Sequence, residues 1–222
     1  MKYMDDKKSI INLTNTDNTP ASFQQKNWVK KLVAASGKPV VPRTSGKIVY
    51  LLVDCSGSMA EGNKIAQAKK GAIGFAKEAQ RMEYSVGLIQ FASHAESVLE
   101  PQNELTSLNI KVEKLSANGS TNMAAAIQIA GDKLLEKAGE KVICVVTDGM
   151  PDDKKATLEA ANEIRMQGVE IMTIGTDGAD KEFLEELATR KELSLKVLRD
   201  QLERGIVSMA KMLPQKMDSQ KL

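Results

Sequence analysis

The sequence predicts an α/β fold: a doubly wound, mostly parallel six-stranded sheet with one antiparallel edge strand and helices on both faces. Three observations predict it. Ile48-Val49-Tyr50-Leu51-Leu52-Val53 is an unbroken apolar run that leads into Asp54, and Val142-Ile143-Cys144-Val145-Val146 is a second that leads through Thr147 into Asp148. Runs of this kind, without a period, read as strands buried on both faces, which belong in the middle of a parallel sheet covered by helices. From Lys47 onward, strand and helix patterns alternate, as doubly wound sheets require. The third observation is the short link Ala92-Ser93-His94 between two strand patterns, 84–91 and 95–99. Two or three residues cannot join parallel strands, so this pair is an antiparallel edge hairpin.

Each element has its own signal. Residues 1–46 differ in composition from the rest and form an N-terminal extension. Within it, 12–20 is polar and turn-forming, and Ser22 is placed to cap a short helix to about Ala35 with Phe23, Val29, Leu32 and Val33 on one side. Gly37, Pro39 and Pro42 then impose an extended linker. This arm either packs on its own domain, the favoured reading, or docks a partner through Trp28. The domain proper covers 47–213. Its first helix, 64–82, has Ile65, Ala68, Ala72, Phe75, Ala79 and Met82 at helical spacing, with Gly71 and Gly74 expected to allow close contact with the sheet. Residues 106–114 are ambiguous between a short helix and a loop. A polar loop at 117–122 precedes a helix with Met123, Ile127, Ala130 and Leu134 on one side. After the strand at 141–147 come a helix at 154–167 stopped by Gly168, a strand at 169–174, a helix at 181–190, a short strand at 194–198 and a helix at 201–213. The tail, 214–222, is expected to fray.

The totals exclude several function classes. The chain of 222 residues carries 31 basic and 29 acidic side chains, a net charge of +2. No polybasic run and no basic patch interleaved with aromatics points to nucleic acid or to a membrane surface. No segment has the pattern of a secretion signal or a membrane span, so the expected location is cytoplasmic. The two cysteines, Cys55 and Cys144, are no disulfide framework. If Asp54 and Asp148 are level, Cys144 lies roughly 13 Å further down the sheet, at about 3.3 Å per residue, and both thiols stay reduced.

In the common doubly wound order the first and fourth strands are neighbours at the switch point, where ligands collect beyond the strand ends. Asp54 and Asp148, far apart in sequence, therefore face one crevice, and Ser56 and Ser58 stand beside Asp54. Carboxylates and hydroxyls without nitrogen or thiolate suit a hard cation such as Mg²⁺. Taken singly, Asp54 could be a turn residue, Ser56 and Ser58 loop hydroxyls, and Thr121-Asn122 a helix cap. Asp152 and Asp153 are read as caps of the helix that starts at Lys154. His94, the only histidine, belongs in the exposed hairpin turn, and Cys55 is a small buried filler.

Asp54-Cys55-Ser56-Gly57-Ser58, Gly119-Ser120-Thr121 and Thr147-Asp148-Gly149, in this order on this α/β pattern, resemble the three loops of a von Willebrand factor A domain over 47–213. The departure is Ser120, where the family often has glycine. The resemblance implies a Rossmann-like fold with an intact metal-ion-dependent adhesion site, of the intracellular stand-alone type. It implies that Ser56, Ser58 and Thr121 supply hydroxyl oxygens, and that Asp54 and Asp148 act directly or through water. The ion implied is Mg²⁺, with Mn²⁺ or Ca²⁺ as alternatives. The expected function is a non-enzymatic protein–protein interaction module whose metal coordinates an Asp or Glu of a partner. Its setting would be a complex such as an AAA+ ATPase machine or a stress or tellurite-resistance system. The alternative is a haloacid-dehalogenase-like Mg²⁺-dependent phosphotransferase using Asp54. That chemistry needs a carboxylate two residues on as general acid, and Ser56 stands there.

Overall fold

In the computed structural model, residues 45–176 and 178–215 are described. The expected helix at 22–35, its linker, the Trp28 anchor and the tail from residue 216 lie outside them. The strands are β1 (Ser45–Asp54), β2 (Tyr84–Phe91), β3 (Ala95–Gln102), β4 (Ala138–Thr147), β5 (Glu170–Gly175) and β6 (Ser194–Lys196). They form one sheet in the order β3-β2-β1-β4-β5-β6, with β3 antiparallel to β2 and every other neighbour parallel. β1 and β4 are thus central neighbours, as the switch-point reading requires.

β1 shows why an unbroken apolar run suits this position. Val49, Leu51 and Val53 point into one core with helices α1 (Lys64–Arg81), α2 (Leu105–Glu113) and α6 (Leu202–Ala210). Ile48, Tyr50 and Leu52 point into the other, with α3 (Met123–Leu135), α4 (Lys154–Met166) and α5 (Lys181–Leu187). Every residue from Ile48 to Asp54 is buried, so neither parity of the strand tolerates a polar side chain short of its end. At the far edge, β3 runs through Pro101 to Gln102, longer than expected. Proline is tolerated there because an edge strand leaves one side of its backbone unpaired.

Two of the boundaries that differ from expectation do so for local reasons. α5 ends at Leu187 because Ala188 turns extended and Thr189 pairs with the start of β5, donating its N–H to Ile171 O at 2.9 Å and accepting Ile171 N–H on its hydroxyl at 2.8 Å. A 3₁₀ turn, Arg199–Gln201, takes Gln201, the first residue assigned to the last helix, which ends at Ala210. Another, Gly57–Asn63, fills the segment between Asp54 and α1. The residues 106–114 are helical, as α2, and His94 is exposed in the hairpin turn.

The reading of Gly71 and Gly74 is corrected by the structure. Their missing side chains face α6, not the sheet. A Cβ on Gly71 would lie 2.8 Å from Ile206 Cδ1 and 2.9 Å from Ile206 Cβ, and one on Gly74 would run into Val207. The glycines let two helices on the same face approach each other, which the helix pattern of 64–82 alone does not reveal. Gly71→Val is therefore expected to destabilise the protein by about 1–3 kcal/mol in urea unfolding, although valine is a better helix former than glycine. Unchanged stability would mean that α1 and α6 can separate freely.

Candidate metal centre

The pairing of Val53 with Val146 sets Asp54 opposite Thr147 and leaves Asp148 one step beyond. Asp54 is fully buried, and both its oxygens are held. Oδ1 accepts the Ser56 N–H at 2.7 Å, and Oδ2 accepts the Thr147 hydroxyl at 2.6 Å. Desolvation pushes its carboxyl above the ordinary range. The Thr147 and Ser56 hydrogen bonds pull it back in part, and the nearby Asp148 charge adds to the rise. Such a carboxylate gains from any cation placed near it.

Asp148 is held as closely. Its Oδ1 accepts the Ser58 hydroxyl at 2.7 Å, and its Oδ2 takes the ammonium of Lys64. Ser56 Oγ and Ser58 Oγ are 3.1 Å apart. Ser58 has a single hydroxyl proton and gives it to Asp148, so Ser56 is the donor between the two serines. Asp54, Ser56, Ser58 and Asp148 therefore form one cluster at the carboxyl ends of β1 and β4.

The loop that carries Thr121 is tied by its backbone to the segment that carries Ser56 and Ser58. Gly57 N–H donates to Gly119 O at 2.9 Å and Asn118 N–H to Cys55 O at 2.7 Å, which sew the 117–122 segment to the residues after β1. On its other side Thr121 N–H donates to Asp152 Oδ1 at 3.0 Å, and Asp152 N–H returns to Thr121 O at 3.0 Å. Gly119 sits at φ +85°, and a Cβ there would come within 2.5 Å of Ser93 Oγ, so only glycine fits. Asn122 and Asp153 cap α3 and α4, accepting from Ala125 N–H at 3.2 Å and Ala156 N–H at 2.9 Å. Capping explains Asp153 but not Asp152, whose carboxylate serves the Thr121 loop.

Two contributors escaped the sequence reading. Asp152 was indistinguishable in pattern from its neighbour Asp153. Lys64 is separated from Asp148 by 84 positions, and its only local sign is a cation at the start of a helix, where the dipole disfavours it. The set as a whole offers oxygen donors only. Among the described residues no three His, Cys, Asp or Glu side chains group as a metal-holding cluster, so the hydroxyls are indispensable to any centre here. Hydroxyls and carboxylates, without nitrogen or thiolate, fit a hard divalent cation. Cys55 and Cys144 are both buried and free, with thiols pushed up to about 12 by burial.

The family described as von Willebrand factor type A domain matches residues 49–204. The mouse collagen alpha-5(VI) chain is 28 % identical over 168 residues, 68 % of this chain and 6 % of that one. The chain spans a quarter or less of the length of the curated relatives it matches. Among solved structures, the vWF domain of the type V pili tip protein Mfa5 from Porphyromonas gingivalis is similar at a TM-score of 0.69 and 12 % identity, covering 80 % of this chain and 100 % of that one. The manganese-loaded TRAP protein of Plasmodium vivax is similar at a TM-score of 0.64 and 21 % identity, covering 76 % and 73 %. These structural likenesses bear on the fold.

The buried thiols make a direct check of the loop packing. The native protein is expected to leave Ellman's reagent uncoloured, and unfolding in guanidinium to release two thiols per chain. A native thiol that reacts at once would place Cys55 at the surface. Thr147→Val leaves Asp54 Oδ2 without its hydroxyl donor, and is expected to cost about 1–3 kcal/mol in urea unfolding with EDTA present.

Proposed function

The chain belongs to the von Willebrand factor type A domain family, and from that premise we propose that it is a non-enzymatic module for metal-dependent protein–protein contact. Domains of this family commonly work in that way. Asp54, Ser56, Ser58, Thr121 and Asp148 would hold Mg²⁺, with Mn²⁺ or Ca²⁺ as substitutes, and a partner protein would present an Asp or Glu side chain. The observation that carries the reading is the hydrogen-bonded line Ser56–Ser58–Asp148, which joins side chains 90 positions apart at the end of the sheet. The similar TRAP structure of Plasmodium vivax is manganese-loaded, which supports a divalent cation on this fold.

The division of labour follows from the donors. Asp54 is enclosed and held by Ser56 and Thr147, so it supplies charge from behind the hydroxyls rather than a free oxygen. The serine hydroxyls pass their protons toward Asp148, which leaves oxygen lone pairs for a cation. A bound divalent ion would supply an electrophilic anchor for an anionic oxygen. Asp152 fixes the height of the Thr121 loop from the far side. A cytoplasmic setting, in a complex such as an AAA+ machine or a stress-response system, belongs to the same proposal and rests on composition and motif. Among the described residues no helix is long and apolar enough to cross a membrane.

Two observations weigh against the phosphotransferase alternative. A nucleophilic aspartate needs an oxygen open to substrate, whereas Asp54 is wholly enclosed with both oxygens engaged. The position of the general acid is Ser56, whose hydroxyl is turned to Ser58.

Calorimetric titration with Mg²⁺ or Mn²⁺ is expected to show binding that is lost in Asp54→Ala. Thr121→Ala, which removes a ligand, and Asp152→Ala, which removes the support behind it, should each weaken it by about ten-fold or more. Equal affinity in wild type and Asp54→Ala would sink the metal reading. A pull-down should recover a partner with Mg²⁺ and lose it with EDTA or in Ser58→Ala. Recovery that survives both treatments would move the docking surface elsewhere.

A further inference from the structure

Lys64 stands where elementary rules disfavour it. It is the first residue of α1, at the positive end of the helix dipole, and the first turn carries no acidic residue to compensate. Its side chain is only 7 % exposed, in a setting where lysine is seldom found without a partner. The partner is Asp148, whose side chain is fully enclosed. In every other ion pair among the described residues the basic side chain is at least 33 % exposed, so this pair is of a different kind. The approach to Lys64 is itself unusual. Gly62 and Asn63 are consecutive left-handed residues, at φ 56° and 64°, and they turn the chain so that α1 starts with Lys64 facing the crevice. Glycine and asparagine are the residues that adopt that conformation most readily.

We infer that Lys64 is the resident counter-ion of the metal centre: it holds Asp148 when no metal is present and makes the loaded centre one charge more positive than it would be without the lysine. The inference rests on the metal-binding reading above. The carboxylates of Asp54 and Asp148 offset a divalent ion, Asp152 adds a third negative charge on the far side of the Thr121 loop, and the ammonium shifts that total by one positive unit. Two effects of opposite sign result. Lys64 repels an incoming cation and occupies one of its anionic ligands, which weakens metal binding. Once metal is bound, the same charge draws an anionic oxygen to the centre, which favours a carboxylate from a partner over a neutral group.

The test uses the full chain, Mn²⁺ and acetate. Mn²⁺ affinity is measured by calorimetry in wild type, Lys64→Gln and Lys64→Arg. Acetate is then titrated into each Mn²⁺-loaded protein and followed by water-proton relaxation. Lys64→Gln should bind Mn²⁺ about ten-fold tighter or more and acetate about ten-fold weaker, while Lys64→Arg stays within about three-fold of wild type, since a unit charge a few ångströms away exerts effects of at least this size. If Lys64→Gln is unfolded without metal and Mn²⁺ folds it, as circular dichroism would show, the cation has replaced the ammonium and the inference stands. Mn²⁺ binding by Lys64→Gln that is equal or weaker, a variant that stays unfolded at saturating Mn²⁺, or equal acetate binding by both loaded proteins would each overturn it. A wild type that binds no Mn²⁺ overturns instead the metal reading on which it rests.

Discussion

The hydrogen bond from the Thr147 hydroxyl to Asp54 is the interaction on which the rest of the centre depends. It crosses from β4 to β1 at the point where the sheet order turns back on itself, and it lies where no water can take its place. A buried carboxylate without such donors would be costly, and its protonation would remove the charge that gives the crevice its character. Thr147 and the Ser56 N–H keep Asp54 in position, and the fixed Asp54 in turn sets the start of the loop that carries Ser56 and Ser58. The parallel pairing of β1 with β4 thus determines more than the sheet. It decides which side chains can meet above it.

Around that bond the centre is arranged in layers of charge. The two aspartates lie beneath, closed off and fully occupied by donors of the chain itself. Ser58 and Thr121, on separate loops, lie nearer solvent. Oxygen donors with carboxylates set behind hydroxyls leave a cation incompletely neutralised, which is the opposite of what a tight structural metal site does. Lys64 extends the same logic by adding positive charge from below.

Much of this was legible in the sequence, for a definite reason. The strand ending in Asp54 is buried on both faces, so its apolar run has no competing helical reading, and the hairpin link at 92–94 is too short for anything but an antiparallel pair. Taken with the strand order common to doubly wound sheets, these features set the first and fourth strands side by side, and with them Asp54 and Asp148. What the sequence withheld depends on tertiary packing with no local period. Asp152 and Asp153 look alike until one is seen to cap α4 and the other to hold Thr121. Gly71 and Gly74 signal a close approach, expected against the sheet, whereas the partner is α6. Thr189 stops α5 by pairing with β5, a contact that no helix propensity records. Lys64 reads as an ordinary helix residue until its partner is known.

The loop that carries Thr121 shows how affinity can be set without touching the ligand residues. On one side Ser93 Oγ accepts the Ser120 N–H at 3.0 Å, with Gly119 folded against it; on the other Asp152 grips Thr121 through both its backbone and its carboxylate. A second glycine at 120, as the family often has, would leave more backbone conformations open before binding. A serine narrows them, and the Ser93 contact narrows them further. Ordering done in the free protein is ordering that binding need not supply. On the metal reading proposed above, this chain combines a loop ordered in advance with a lysine that opposes the cation. The two act on different quantities: the loop lowers the entropic cost of assembling the site, while the lysine raises the electrostatic cost of filling it and returns part of that cost when an anion arrives. On that reading the centre fills against the charge of Lys64 and discriminates most sharply at the step where an anionic oxygen arrives.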